Sequence, residues 1–473
     1  MDFVGREREL AMLDAVLATV AEDRGTTRPG RCLLVRGRRR IGKSSLVEEF
    51  IRTTHAPAVY YTAAGTAGEE ELVEFVEALR CSSLPGRSVF DEAAPGNWTT
   101  ALRLLATALP DDRPTIVVLD ELPYLMERVD AFEGVLQRAW DRELSRKPVV
   151  MILIGSDLSM METLSSYGRP FHQRGQEMVI GPLTPPDVAR MCDLGPADAL
   201  DAALVTGGLP LICAAWRSGQ GLWDFLATEF SNPVSPLLVS AERSMAAEFP
   251  DHANARAVLS AIGSGERTFT NIQRAAGGLS GNTLTRAFEV LTDKRMVVGE
   301  LPISLRPSKE RRYRVTDPYL RFWLTFIQTH LPEIERMRGD LALARVRRGW
   351  TAWRGRAVEP LVRDAVARLL PTGGIAAPSV VGGYWTRTND IEIDIVGADR
   401  APVASELLFL GSIKWLEDAS FDAHDLVALQ KHRAMITDEP VPLLAVSRNG
   451  VSCSGLDVVY GPDDLMRAWP SPG

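Results

Sequence analysis

Cysteine is scarce in this chain: there are five among 473 residues, at Cys32, Cys81, Cys192, Cys213 and Cys453, and none sits in a C-x-x-C spacing. That distribution excludes a zinc ribbon, argues against a disulfide scaffold and suits a reducing compartment. The six histidines show no metal-ligand spacing either. No apolar run approaches the roughly 20 residues needed to cross a bilayer, and the opening ten or so residues lack the apolar core of a signal peptide. A cytoplasmic protein with no membrane attachment is expected. Low-complexity tracts and internal repeats are missing as well. Positive charge is not in excess, since 53 Lys and Arg face 61 Asp and Glu for a formal net charge of -8. This excludes a protein that coats nucleic acid over its whole surface and confines any such contact to a local patch.

What is present begins with Gly37-Arg38-Arg39-Arg40-Ile41-Gly42-Lys43-Ser44, a complete G-x-x-x-x-G-K-[ST] loop behind the apolar run Cys32-Leu33-Leu34-Val35. Glycines at both ends let the backbone turn its N–H groups around phosphate oxygens, and the helix opening at Ser45 offers its positive end to them. Lys43 is expected to reach the β- and γ-phosphates, and the Ser44 hydroxyl to ligate Mg2+. A nucleoside triphosphate is the predicted ligand.

A second element agrees. Thr115-Ile116-Val117-Val118-Leu119 is a buried-strand run ending in Asp120-Glu121, which places two carboxylates at a strand's C-terminal edge, where open α/β sheets bind ligands. Asp120 is expected to hold Mg2+ through water, and Glu121 to orient and deprotonate the attacking water. A further strand, Val149 to Ile154, ends in Gly155-Ser156. Ser156 there either senses the γ-phosphate or belongs to an ordinary Gly-Ser turn. Arg169, after Tyr167-Gly168, and Arg174 offer guanidinium groups, one of which could complete a neighbouring subunit's site. With strands also predicted at Ala58 to Thr62 and Met178 to Ile180 and helices between them, the pattern is an α/β fold with a parallel sheet.

These residues together resemble the archaeal-type AAA+ ATPases of the STAND-related branch of P-loop NTPases. Phe3-Val4-Gly5-Arg6-Glu7 looks like that family's F-x-G-R-x-x-E box beside the nucleotide. The phosphate loop, Leu119-Asp120-Glu121, Gly155-Ser156 and Tyr167-Gly168-Arg169 follow in order, and Gly207-Gly208-Leu209-Pro210 is similar to the family's G-G-x-P turn in the helical lid. The resemblance implies ATP as the nucleotide, with contacts from Gly5, Arg6, Gly37, Arg38, Arg39, Arg40, Ile41, Gly42, Lys43, Ser44, Ser45, Ser156 and Pro210. Ser44 and Asp120 are the implied metal-binding residues, and Lys43, Glu121 and Arg169 the catalytic ones. The expected division is an ATPase core over 1–181, a helical lid over 182–250, a winged-helix domain over 251–330 and a restriction-endonuclease-like domain over 331–473.

The winged-helix expectation rests on three helical stretches, Ala255 to Ile262, Phe269 to Ala276 and Ser280 to Leu291, followed by Met296 to Glu300 and Tyr313 to Val315. These last two bracket Arg306, Lys309, Arg311 and Arg312 as a basic wing. Asn282, Thr283, Thr285 and Arg286 are the residues of the third helix able to meet a major groove, although such modules also serve protein partners.

The tail resembles the restriction-endonuclease-like domain that ends many members of the same ATPase family. The matching residues are Arg354 to Glu359 on a helix, Glu392 to Val396 on a strand and Gly411 to Trp415 on the next. In the PD-(D/E)xK pattern, Glu359 and Asp394 would supply metal oxygens and Lys414 would steady water or phosphate. Ser412 departs from the pattern, which places Asp or Glu two residues before the lysine. Glu406 and Asp425 are the acids near enough in sequence to substitute.

The reading is an ATP-hydrolysing, Mg2+-using ATPase associated with double-stranded DNA through the winged helix and a tail of degenerate nuclease type. Self-assembly is a further possibility. Two alternatives stay open: a nucleotide-switched scaffold for a protein partner, and an active Mg2+-dependent nuclease coupled to ATP.

Overall fold

The computed structural model describes residues 3–156, 158–249 and 252–469, so the boundary expected at Pro250 lies outside the described residues. The chain divides into two compact units, one running to Pro182 and the other comprising Leu183–Pro470.

The first unit is built on a five-stranded sheet of order β2-β3-β4-β1-β5. Its strands are β1 (Arg31–Arg36), β2 (Ala58–Thr62), β3 (Thr115–Asp120), β4 (Val149–Gly155) and β5 (Gln176–Val179), and all neighbours run parallel. Every residue of β3 and β4 is buried, as the unbroken β-branched and aliphatic runs require of strands covered on both faces. The helices Gly68–Arg80, Trp98–Ala108 and Phe132–Arg142 cover the sheet through one apolar cluster. Trp98 is its hub, with its ring centroid 5.0 Å from both Phe75 and Phe132.

The second unit opens with five helices between Pro185 and Glu248. Three more follow, Ala253–Gly263, Phe269–Ala275 and Gly281–Asp293, and then the antiparallel hairpin of β6 (Val297–Glu300) and β7 (Arg312–Val315). Ser280 caps the third of these helices by accepting from the Thr283 N–H.

The hairpin is not a free wing. Within its connecting loop the Ile303 N–H donates to the Gly383 carbonyl at 2.9 Å, and the Ser304 N–H donates to the Pro402 carbonyl at 3.1 Å. Ile303 also joins the core of the tail. Arg312, expected as a wing cation for DNA phosphate, instead pairs with Glu392 and stacks over Trp385 at 4.6 Å. Arg306, Lys309 and Arg311 remain exposed.

The tail carries a second sheet of order β12-β11-β10-β9-β8. Its strands are β8 (Val380–Trp385), β9 (Glu392–Ala398), β10 (Leu407–Lys414), β11 (Leu443–Ser447) and β12 (Val458–Tyr460). β9 runs antiparallel to both β8 and β10, and β11 and β12 add in parallel. A helix of 31 residues, Gly339–Leu369, packs along this unit with Pro360 inside it. Proline has no N–H to give, so the carbonyl four residues back loses its helical partner. That carbonyl, of Arg356, accepts instead from the Arg321 guanidinium at 3.1 Å.

One buried charge cluster ties the ends of this unit together. Asp201, on the helix Pro196–Thr206, accepts from Arg354 at 2.9 Å, from the Trp415 indole at 2.9 Å and from Arg448 at 3.2 Å. The Arg354 and Asp201 side chains are only 1% and 4% exposed. Burial pushes the Asp201 carboxyl up while Arg354 and Arg448 pull it back. Removing one member of such a cluster strands a charge that water cannot reach. Arg354→Ala should therefore destabilise the protein by about 3–5 kcal/mol, read as a fall in denaturation midpoint, whereas an exposed control such as Arg286→Ala should leave the midpoint unmoved.

Candidate functional site

In the first unit β1, β3 and β4 are neighbours, so the loops leaving their C-terminal ends meet on one edge of the sheet. The phosphate loop leaves β1 through Gly37, where a Cβ would lie 2.6 Å from the Ile180 carbonyl oxygen, so the close approach demands glycine. The loop ends at Gly42, which adopts φ 88 as the cap of the helix Lys43–Thr54. Lys43 folds over the loop and donates to the carbonyls of Gly37 at 2.9 Å and Arg38 at 3.0 Å. Burial draws its ammonium below the ordinary lysine value, and Glu121 and Asp120 counter that shift.

Asp120 gathers the site. Its carboxylate accepts from the Ser44 hydroxyl at 2.7 Å, from the Tyr60 phenol at 2.7 Å and from the Glu121 N–H at 2.8 Å. Burial and the neighbouring carboxylate raise the Tyr60 phenol, so it stays protonated and donates. Glu121 stands at φ 51, in the left-handed region, between β3 and the helix Leu122–Arg128. Its carboxylate accepts from the Ser156 hydroxyl at 2.9 and 3.2 Å. Lys43, Ser44, Asp120, Glu121 and Ser156 are thus brought together.

The remaining expected residues divide. Arg6 is buried and donates to the Ile41 carbonyl at 3.0 Å and the Gly181 carbonyl at 2.6 Å. It braces the phosphate loop from behind, and Gly5, with φ 79, turns the chain into position for it. Arg40 also adopts a left-handed backbone, φ 63. Arg39, Ile41 and Ser45 lie on the loop and the first helical turn. Arg174 is held by Asp141 at 2.9 Å and by the Pro170 carbonyl at 2.8 Å, whereas Arg169 is 41% exposed and pairs with Glu133 at 2.6 Å. Pro210 belongs to the second unit, at the start of the helix Pro210–Cys213.

One residue of the site and one that supports a neighbouring loop escape the sequence reading. Tyr60 carries no motif; only the pairing of β2 beside β3 brings it to Asp120. Glu71 is fully buried, and its carboxylate holds the Tyr61 hydroxyl and the Thr66 N–H, fixing the loop that follows β2. An acidic residue at the start of an amphipathic helix gives no sign of that role.

In the tail, Asp394 accepts from the Ser412 hydroxyl at 3.0 Å and from the Ile413 N–H at 2.8 Å. Glu359 pairs with Arg363 at 3.0 Å, and Arg363 also donates to the Asp394 carbonyl at 2.6 Å. Lys414 pairs with Asp425 at 2.9 Å. The exposed Glu406 precedes β10 and stands six residues before Ser412 on it, so by strand rise it lies roughly 20 Å from that position and is no substitute for a carboxylate at 412. Asp425 is close to the lysine but is occupied by it and by the cap of the helix Ala423–Ile436. Among the described residues no group of three or more His, Cys, Asp or Glu could hold a metal ion.

Residues 3–201 match a family described as an ATPase domain predominantly from Archaea, and residues 323–430 match one described as Archaea bacterial proteins of unknown function. An uncharacterized protein of Methanocaldococcus jannaschii is 22% identical over 398 residues, 83% of each chain. The Walker-type ATPase of Pyrococcus abyssi is similar at TM-score 0.49 and 18% identity, over 68% of this chain and 96% of that one. The Aeropyrum pernix ORC2 protein, solved in ADPNP-ADP complexes, gives TM-score 0.46 and 12% identity over 70% and 94%. No helix is long and apolar enough to cross a membrane among the described residues.

Two outcomes are expected. Ser156→Ala removes the hydroxyl that holds Glu121, which should lower kcat for ATP turnover about tenfold with little change in KM; a change in KM alone would contradict this. Burial pushes Glu359 up to about 7 against the pull of Arg363. The folded protein then keeps a proton that the unfolded chain loses near 4.5, so this stabilisation is complete below that pH and is lost as pH rises through 7. Glu359→Gln removes the dependence, and the melting temperature of the variant minus that of the wild type should climb between about pH 4.5 and 7; a constant difference would rule out the raised carboxyl.

Proposed function

We propose that this chain, whose residues 3–201 belong to a family of ATPase domains found predominantly in Archaea, is a Mg2+-dependent ATPase that acts on duplex DNA and bears a tail that binds without cutting. The observation that carries the hydrolytic half is the position of Glu121. Its carboxylate is held by Ser156, and it directly follows the carboxylate that gathers the Ser44 hydroxyl. A base so placed accepts a proton from the attacking water while Ser156 keeps it aimed. Lys43 exchanges its two carbonyl partners for phosphate oxygens of the nucleotide, and the loop N–H groups hold the rest of the triphosphate.

The residues fit Mg2+. The Ser44 hydroxyl and Asp120 carboxylate are hard oxygen donors within 2.7 Å of each other and would hold the ion, which when bound would supply neutralisation of charge on the phosphoryl groups. Arg169, with its guanidinium partly open to solvent, is the arginine we assign to the site of a second copy, since Arg174 is fully engaged within its own chain.

The DNA half of the reading rests on exposed groups of the second unit. Asn282, Thr285 and Arg286 are exposed on the helix Gly281–Asp293, and Arg306, Lys309 and Arg311 on the hairpin loop. Phosphate contact by such a patch weakens steeply with salt. Among the described residues no group of three or more His, Cys, Asp or Glu could hold a metal ion, and the tail's Lys414 is neutralised by Asp425, which supports binding rather than cleavage.

Phosphate release from Mg2+-ATP, measured with and without duplex DNA, tests the proposal. Wild-type turnover should rise with DNA, Glu121→Gln should lower it by about 10^2–10^4-fold, and the DNA should remain intact. Turnover indifferent to DNA would instead favour a nucleotide-switched scaffold, and cut DNA would favour an active nuclease.

A further inference from the structure

The second unit contains a basic recess that neither the phosphate loop nor the exposed groups on the hairpin and third helix account for. A cavity of about 290 Å3 lies between the loop after the helix Ala253–Gly263, β7, the helix Pro318–Phe326 and the long helix. It continues into a narrower cleft of about 50 Å3 that reaches Glu359 and Glu392. The two share Arg267, Tyr313, Arg314, Arg321 and Arg356. Along the cleft, six guanidinium groups face three carboxylates, those of Glu300, Glu359 and Glu392.

The pairing inside the recess is lopsided. Glu300 holds Arg314 at 2.7 Å, Glu359 holds Arg363 at 3.0 Å, and Glu392 holds Arg312 and, at 3.8 Å, Arg267. Among the described residues no carboxylate comes within ion-pair distance of Arg321 or Arg356. Arg321 is the deeper of the two. Its guanidinium donates to the Arg356 carbonyl that Pro360 leaves open, so a peculiarity of the helix fixes where it points. Burial, with repulsion from Arg314, Arg356 and Arg267 opposing the pull of Glu359, brings Arg321 down to about 10. Arg356 is exposed at the rim and leaves the recess open to solvent.

Holding like charges together in a half-buried recess is unfavourable unless an anion completes the set. Guanidinium groups match phosphate oxygens in paired hydrogen bonds, and a concave wall focuses their field on one spot. The volume suits a mononucleotide rather than a duplex, and Tyr313 and Trp353 line the same chamber. We propose that this recess is a binding site for a terminal phosphate, carried by a mononucleotide or by the end of a nucleic-acid strand, with Arg321 and Arg356 as its principal ligands. The site is independent of the phosphate loop, and the proposal stands whether or not the first unit hydrolyses ATP.

The test uses the full chain carrying Lys43→Ala, so that nucleotide bound at the phosphate loop does not mask the recess. The probes are AMP, and short single-stranded deoxyoligonucleotides bearing either a 5′-phosphate or a 5′-hydroxyl. The expected result is that AMP or the phosphorylated strand binds, that the hydroxyl strand binds about tenfold or more weakly, and that Arg356→Gln and Arg321→Met each weaken the phosphorylated probe by about tenfold or more. Binding of AMP alone assigns the site to free nucleotides, and preference for the phosphorylated strand assigns it to strand ends. Arg356→Gln lies at the exposed rim and keeps the test independent of folding. Arg321→Met removes a charge with no carboxylate partner, so the melting temperature without ligand should hold or rise while the increase produced by AMP or the phosphorylated strand disappears. Equal binding of both strands, or binding indifferent to both substitutions, overturns the proposal.

Discussion

The Asp120 carboxylate is the point through which the first unit becomes a site. Three donors reach it from three directions: the Ser44 hydroxyl from the first turn after the phosphate loop, the Tyr60 phenol from β2, and the N–H of Glu121 from its own chain. A buried carboxylate needs donors to replace the water it has given up. With three, it keeps its place and fixes the spacing between the loop and the strand that bears Glu121. The all-parallel sheet makes this possible because it puts the ends of β1 and β3 on one edge with only β4 between them.

The second unit depends on a different kind of constraint. Asp201 and Arg354 are almost wholly out of water, and the Trp415 indole and Arg448 complete their hydrogen bonding. Contacts this far apart in sequence hold the first helices of the unit to the end of β10. The hairpin loop adds a second attachment through Ile303 and Ser304. Hence the segment that sequence reads as a separate DNA-binding module and the tail share both core and charge, and several of the hairpin's arginines face inward.

Much of the first unit was legible because its chemistry is local. The Gly37-to-Ser44 loop, the Asp120-Glu121 pair and Gly155-Ser156 each follow a strand that shows as an apolar run, and the strands fall where those runs predict. Arg6 stands out through a resemblance, and its pairing with Glu9 at 3.1 Å lies within the same short motif, whereas its hydrogen bonds to the Ile41 and Gly181 carbonyls are set by the fold and not by any pattern of residues. Tyr60 and Glu71 were invisible because their partners come from adjacent strands and from a loop rather than from nearby sequence. In the tail, Ser412 stood out as a departure from a pattern, but its hydrogen bond to Asp394 and the pairing of Lys414 with Asp425 depend on register. The same holds for Arg312, Arg314, Arg321 and Arg363, whose surroundings are made by four separate elements.

The backbone of Glu121 has a consequence for how this protein can change. Its φ of 51 belongs to a region where glycine or asparagine rests more easily than a longer side chain does. Selection for heat tolerance alone would therefore drift toward those residues at this position and relax the turn. Selection for turnover would hold the carboxylate against that drift. Durability and work are set in opposition at a single peptide unit, so a laboratory lineage screened only for survival at high temperature would tend to arrive at a sturdier protein that has gone quiet.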